Sequence, residues 1–176
     1  NFENIVNLQT AVGEKKFKLD IIDAGTLSTM DIKTLNLYLK TDWAKGHFQK
    51  PVKHKVNVEK LDTIIEKHLS EDEFNLVDLF VLDVEGFEES VLKGFNIGKY
   101  APKMIIIEIS DQHESFIGNK DIMMKFKNLR EYFKEHNYNL LVNDVVDNVY
   151  LRNDIENIEQ LQQMFRANVQ FKQYHM

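Results

Sequence analysis

Residues 77–95 read VDLFVLDVEGFEESVLKGF, and the order of residue types in this stretch decides the fold class. Residues 76–84 (LVDLFVLDV) are apolar at nearly every position, the pattern of a parallel strand covered on both faces. The run ends in Asp83-Val84-Glu85-Gly86, and a helix is predicted over 87–93. Glu88 and Glu89 stand in its first turn, where the macrodipole favours negative, solvent-facing charge. Lys93 lies in its last turn, and Gly94 reads as a left-handed C′ residue.

Working outward, residues 104–109 (MIIIEI) read as a second buried strand and 55–58 as a short one. A helix over 60–69 carries Leu61, Ile64, Ile65 and Leu69 on one face. Upstream, residues 4–12 (NIVNLQTAV) and 17–22 (FKLDII) read as two strands joined by a turn at Gly13-Glu14-Lys15. Residues 24–54 are the least patterned part, and an irregular segment of that length is usually functional or mobile. Downstream, Ile122, Phe126, Leu129 and Phe133 mark an amphipathic helix, and 138–142 with 148–151 read as two closing strands. Asn153 with Glu156 resembles a capping box opening a last helix through Ile155, Ile158, Leu161 and Phe165. This alternation predicts one α/β domain over residues 1–176, its sheet mostly parallel with an antiparallel edge.

Composition narrows the function. The chain has 176 residues, with 22 Lys plus Arg against 28 Asp plus Glu and a net charge of −6. An acidic balance argues against a nucleic-acid binder held by phosphate contacts. With 43% apolar and 28% charged residues, the chain has ordinary globular composition. No apolar run approaches the ~20 residues of a membrane span. Cys is absent, which excludes disulfides, thiolate metal sites and cysteine nucleophiles and suits a reducing compartment such as the cytoplasm. The chain opens on Asn1 without a charged and apolar leader, so it reads as processed or as a piece of something longer.

In open α/β sheets, ligands bind outside the carboxyl ends of the strands. If the strands at 76–84 and 104–109 are parallel neighbours, Asp83, Glu85 and Glu108 converge at one rim. Crowded carboxylates raise one another's pKa, as a general acid or base at neutral pH requires. The competing view makes Asp83 an N-cap for the helix that begins near Gly86. The histidines show no metal-ligand spacing, and no metal site is expected. His113 is the one to watch, five residues beyond Glu108, as either a substrate contact or an exposed loop residue. Trp43 could line a substrate pocket or anchor the irregular segment. There is no G-x-G-x-x-G, P-loop or G-x-S-x-G pattern. Metal-dependent hydrolysis by the carboxylate rim needs more ligands than the sequence names.

The residues Leu61-Asp62, the stretch 77–95 and APKMIIIEIS at 101–110 resemble the C-terminal two-thirds of the FkbM-family methyltransferases. That family shows an LD pair before a helix, a strand ending in KIDVEGxE, a "vLkG" helix end and then "pk.ii.E". The matching residues here are Leu61, Asp62, Asp83, Val84, Glu85, Gly86, Glu88, Val91, Leu92, Lys93, Gly94, Pro102, Lys103 and Glu108. The opening LQTAVGEKKFKLDI is similar to the family's strand and "AVGD" turn.

The resemblance implies a Rossmann-like fold whose first strands are missing. It also implies an S-adenosylmethionine-dependent O-methyltransferase acting on a hydroxyl of a sugar or other small metabolite. On that view Asp83 orients the acceptor or takes its proton, and Glu85 and Glu108 shape the same environment. Ala11 and Val12, with Asp83, would face the cofactor, and His113 and Trp43 the substrate. The family's "DVGANxG" strand end and "EPxP" acid lie upstream of this chain, in an N-terminal half that would act as its structural partner. The chain alone is therefore expected to bind the cofactor weakly or not at all and to be inactive by itself. Val81 replaces the family's usual lysine, two residues before Asp83 and on the same strand face. The alternative is a non-catalytic subunit or scaffold that kept the fold and lost cofactor binding. Neither the oligomeric state nor the acceptor is legible from the sequence.

Overall fold

A computed structural model describes residues 5–157, 159–161 and 163. They fall in two compact units, one built from the chain up to Leu69 together with Glu85–Asn96, the other from Ser70–Val84 and the chain from Ile97 onward.

The first unit holds a three-stranded sheet, β1 (Ala11–Val12), β2 (Phe17–Asp23) and β3 (Val52–Glu59), in the order β1-β3-β2. The expected β1–β2 hairpin does not form. Both strands instead flank β3, β1 parallel to it (Ala11 opposite Val58) and β2 antiparallel (Phe17 opposite Val58). Residues 5–10 carry no strand, so the predicted run at 4–12 shortens to two residues. The segment read as irregular contains α1 (Ile32–Tyr38), with 3₁₀ turns at Gly25–Leu27 and Lys45–Phe48. Asp31 starts α1 by accepting from the Lys33 and Thr34 backbone N–H groups at 3.3 and 3.1 Å. Two further helices, α2 (Leu61–His68) and α3 (Glu88–Lys93), complete the unit.

These helices are tied by backbone. The Asp62 N–H donates to the Gly94 carbonyl (3.1 Å), and the Asp62 carboxylate accepts from the Asn96 N–H (2.7 Å). Gly94 has φ −96°, not the left-handed conformation expected for it. Its lack of a side chain matters for another reason: a Cβ there would lie 2.0 Å from the Gly13 carbonyl oxygen. Glu88 departs from expectation too, since it is 2% exposed and accepts from the Gly86 N–H at 2.9 Å. A buried carboxylate needs such donors.

The second unit holds β4 (Leu79–Leu82), α4 (Ile97–Tyr100), β5 (Met104–Glu108), α5 (Lys120–Glu135), β6 (Tyr138–Asn143) and β7 (Asp147–Arg152). Its sheet runs β4-β5-β7-β6. As predicted, β4 and β5 are parallel neighbours, while the β5–β7 and β6–β7 pairs are antiparallel. Both sheets are therefore mixed, and the expectation of a mostly parallel sheet is corrected. In the second unit the β6–β7 connection dictates one antiparallel pair: three residues separate the strands, enough for a hairpin and far too few for a parallel crossover.

Ile105 and Ile107 alternate with Met104 and Ile106 across the two faces of β5. On the α5 face, Phe133 stacks on Tyr150 with ring centroids 4.4 Å apart. On the other face, Leu141, Val149 and Leu151 pack with Met104 and Ile106. The expectation that β4 is covered on both faces fails, because Leu79 and Val81 are 50% and 57% exposed. Both lie on the Met104–Ile106 side, by register with those residues. The predicted last helix does not begin at Asn153. Residues 153–154 and 156–157 are turns, helix appears at 159–161, and Ile158 and Phe165 lie outside the described residues.

Candidate active site

In the second unit the parallel pairing of Leu82 with Ile107 brings Asp83 and Glu108 to the same strand ends. Alternation puts both on the face shared by Val81 and Ile106. A carboxylate oxygen of Asp83 and one of Glu108 lie within 4.8 Å of each other. Asp83 is exposed and Glu108 half-buried. The Ser110 hydroxyl donates to Glu108 Oε1 at 3.0 Å. The N-cap view of Asp83 is not met, because α3 is capped by Phe87 with no side-chain hydrogen bond.

Glu85 follows two residues along the chain and belongs to the first unit. Its backbone is left-handed, φ +48°, and Gly86 after it has φ +94°. A non-glycine residue in that region costs about 1–2 kcal/mol and needs support from its surroundings. Thr29 and Tyr38, both from the segment read as irregular, provide it. The Thr29 hydroxyl donates to the Glu85 carbonyl at 2.6 Å, and the Tyr38 hydroxyl donates to its carboxylate. Thr29 is itself fully buried and exchanges backbone hydrogen bonds with Ile22 at 2.9 and 3.1 Å. A Cβ on Gly86 would meet Thr34 Oγ1 at 2.0 Å, so only glycine fits that turn.

Trp43 is 48% exposed and packs edge-on against Tyr38 at 5.8 Å. It thus borders the ring that holds Glu85. Ala11 and Val12 lie half-buried in β1 of the same unit. His113 is in the second unit, in the loop after β5. Its Nδ1 accepts from the Ser115 N–H at 3.2 Å and its ring lies on Phe116 at 4.9 Å, the contacts of a turn residue. A groove of about 620 Å³ in the first unit, bordered by Thr10, Lys16, Lys18, Val58, Lys67 and His68, includes none of the candidate site residues Ala11, Val12, Trp43, Asp83, Glu85, Glu108 and His113.

Sequence reading missed Thr29 and Tyr38 because periodicity hid α1. The available signal was Asp31 as an N-cap, three residues before Thr34. It also missed Arg130, whose guanidinium grips Asp111 through Nε (2.5 Å) and Nη2 (2.8 Å). That bidentate hydrogen bonding, with the Tyr150 hydroxyl beside it, holds the Arg130 pKa above the usual arginine value.

The Asp83–Glu108 pair stands at the carboxyl ends of neighbouring parallel strands, the side on which open α/β sheets bind ligands. Residues 3–140 match the methyltransferase FkbM domain, and the chain belongs to this methyltransferase family. No curated protein matches the chain. No solved structure matches it either.

Proposed function

We propose that this protein is an S-adenosylmethionine-dependent O-methyltransferase acting on a hydroxyl of a sugar or other small metabolite, in the cytoplasm. The observation that carries the reading is the Asp83–Glu108 pair at the ends of parallel strands, in a chain of the FkbM methyltransferase family. When bound, S-adenosylmethionine supplies an electrophilic methyl on a sulfonium. Two carboxylates suit that cation chemically, and they favour it over the neutral thioether that leaves.

In this mechanism the chain's own residues align and deprotonate the acceptor. Asp83, exposed at the strand end, accepts a hydrogen bond from the acceptor hydroxyl. It takes the acceptor's proton, which would leave the oxygen the stronger nucleophile toward the methyl that the donor supplies when bound. Glu108, half-buried beside it, keeps the local potential negative. His113, in the loop after β5 of the same unit, contacts the acceptor.

The test is Asp83→Asn in the full-length protein, followed by single-turnover methyl transfer with thermal melts as the folding control. Asn keeps size and hydrogen-bonding capacity but removes basicity, so the rate should fall ~10²–10⁴-fold. A variant that melts normally and retains more than about a third of the rate rules the role out, since the weak end of the range is a hundredfold. A full-length wild-type protein that binds no S-adenosylmethionine in calorimetry favours the non-catalytic scaffold instead.

A further inference from the structure

Glu108 ends a strand, and a strand-end carboxylate that faces water is free to swing. Here the loop beyond it is clamped from three sides. Asn148, in β7, is fully buried and uses both ends of its amide. Its Nδ2 donates to the Ile109 carbonyl at 2.9 Å and to the Val146 carbonyl at 3.2 Å. Its Oδ1 accepts from Arg130 Nη2 at 3.1 Å. Arg130 projects from α5 and also reaches the Tyr150 hydroxyl (3.2 Å), Asn143 Oδ1 (3.1 Å) and both oxygens of Asp111. The Ile109 N–H donates to the Val146 carbonyl at 2.9 Å. Ile109 and Ser110 are therefore held on both sides, and Ser110 is 1% exposed with its hydroxyl on Glu108.

A buried amide and a partly buried guanidinium are costly to place inside a fold unless fully paired. Neither is needed to close the β5–β7 ladder, which backbone bonds already make. Apolar residues of similar volume would often be as stable. What the polar set adds is direction: it holds Ile109 and Asp111 on either side of Ser110, whose hydroxyl donates to one oxygen of Glu108. We propose that Arg130, Asn148 and Ser110 form a positioning relay whose purpose is to orient the Glu108 carboxylate toward the Asp83 rim. This deepens the methyltransferase reading and rests on it for its purpose, but the orientation itself can be measured without any methyl transfer.

Among the described residues of this unit, the charged groups near Glu108 include Asp83 after β4, Asp147 opposite it in β7 and the Asp111–Arg130 pair beyond it. Only the Ser110 hydroxyl is changed by the first variant. The experiment is a carbon-detected NMR titration of the Glu108 carboxylate in the full chain, assigned by Glu108→Gln. Ser110→Ala removes a donor to the charged form, so the Glu108 midpoint should rise by about one pH unit. Ser110→Thr keeps a hydroxyl and should restore it. Arg130→Lys keeps the charge but not the fork, and should shift the midpoint in the Ala direction with the fold intact by melting.

A Glu108 midpoint unmoved by Ser110→Ala overturns the relay, as does a Thr variant that behaves like Ala. In the full-length enzyme, Ser110→Ala should lower kcat about tenfold, one lost charge-assisted hydrogen bond, with the donor KM unchanged. Titration shifts as expected in a protein without methyl transfer would uphold the relay and sink the function proposed for it. Methyl transfer with an unmoved titration would do the reverse.

Discussion

The two compact units hold their carboxylates by different means. In the second, Glu108 stands at the end of a relay of buried polar side chains behind a dense apolar core that includes Leu129 and Phe133, 1% and 0% exposed. In the first, Glu85 is held by a left-handed turn, by the Thr29 and Tyr38 hydroxyls on its carbonyl and carboxylate, and by glycines placed where no Cβ fits. The comparison shows that a rim carboxylate can be fixed through packing or through chain geometry, and each route has its own vulnerability. Large-to-small changes should damage the packed unit most, and added methyl groups the close-approach unit.

The largest effect expected from this contrast is in the packed unit. Phe133→Ala empties a fully buried site stacked on Tyr150 and should cost about 3–5 kcal/mol in a denaturant melt. A loss below 1 kcal/mol would show that this core relaxes around the cavity and would blunt the contrast.

Next is Gly94→Ala, where the new Cβ collides with backbone, not with a mobile side chain. Overpacking of this kind should cost about 1–3 kcal/mol, and hydrogen exchange should quicken at the Asp62 amide, whose acceptor is the Gly94 carbonyl. An unchanged Asp62 amide would break the claim that close backbone approach secures the first unit.

Smaller still is Asp31→Ala. Losing the cap of α1 should cost about 1 kcal/mol. Because α1 carries Tyr38, the chemical shift of Glu85 should move with it, while Asp31→Asn restores both. A Glu85 resonance insensitive to Asp31→Ala would uncouple the helix from the carboxylate.

The smallest effect at neutral pH, and one confined to alkali, concerns Tyr138. Its hydroxyl donates to the Pro102 carbonyl at 2.6 Å, and burial raises its pKa from 10.0 to about 12. The folded state therefore holds this proton more tightly than the unfolded chain. The stability it contributes is full below pH 10 and is lost as pH rises toward about 12. Tyr138→Phe should remove that part of the alkaline slope, and identical slopes for the two proteins would show that this phenol does not couple to folding.

Much of the second unit was legible in the sequence because its elements are long and strongly periodic. The four apolar positions of α5 and the run 104–108 fix one helix and one strand with little ambiguity. Their order also placed Asp83 and Glu108 together, since parallel neighbours in register end at the same side. The first unit was harder. β1 is two residues long and β2 pairs across space with β3, so neither alternation nor turn chemistry could reveal the partner. The helix α1 is seven residues, too short for periodicity to show above the surrounding loop.

What the sequence determined by itself is therefore local and additive: which segments are apolar, which long helices form, and which acids end strands. Tertiary structure decided the rest. That Gly94 serves close approach and not a left-handed turn depends on Gly13, some 80 residues upstream. That Glu88 is buried depends on an amide two residues before it adopting a conformation only glycine favours. That Asn148 clamps Ile109 depends on β7 lying antiparallel to β5. In each case the deciding partner is fixed by distance in space, which a one-dimensional pattern of residue types does not carry.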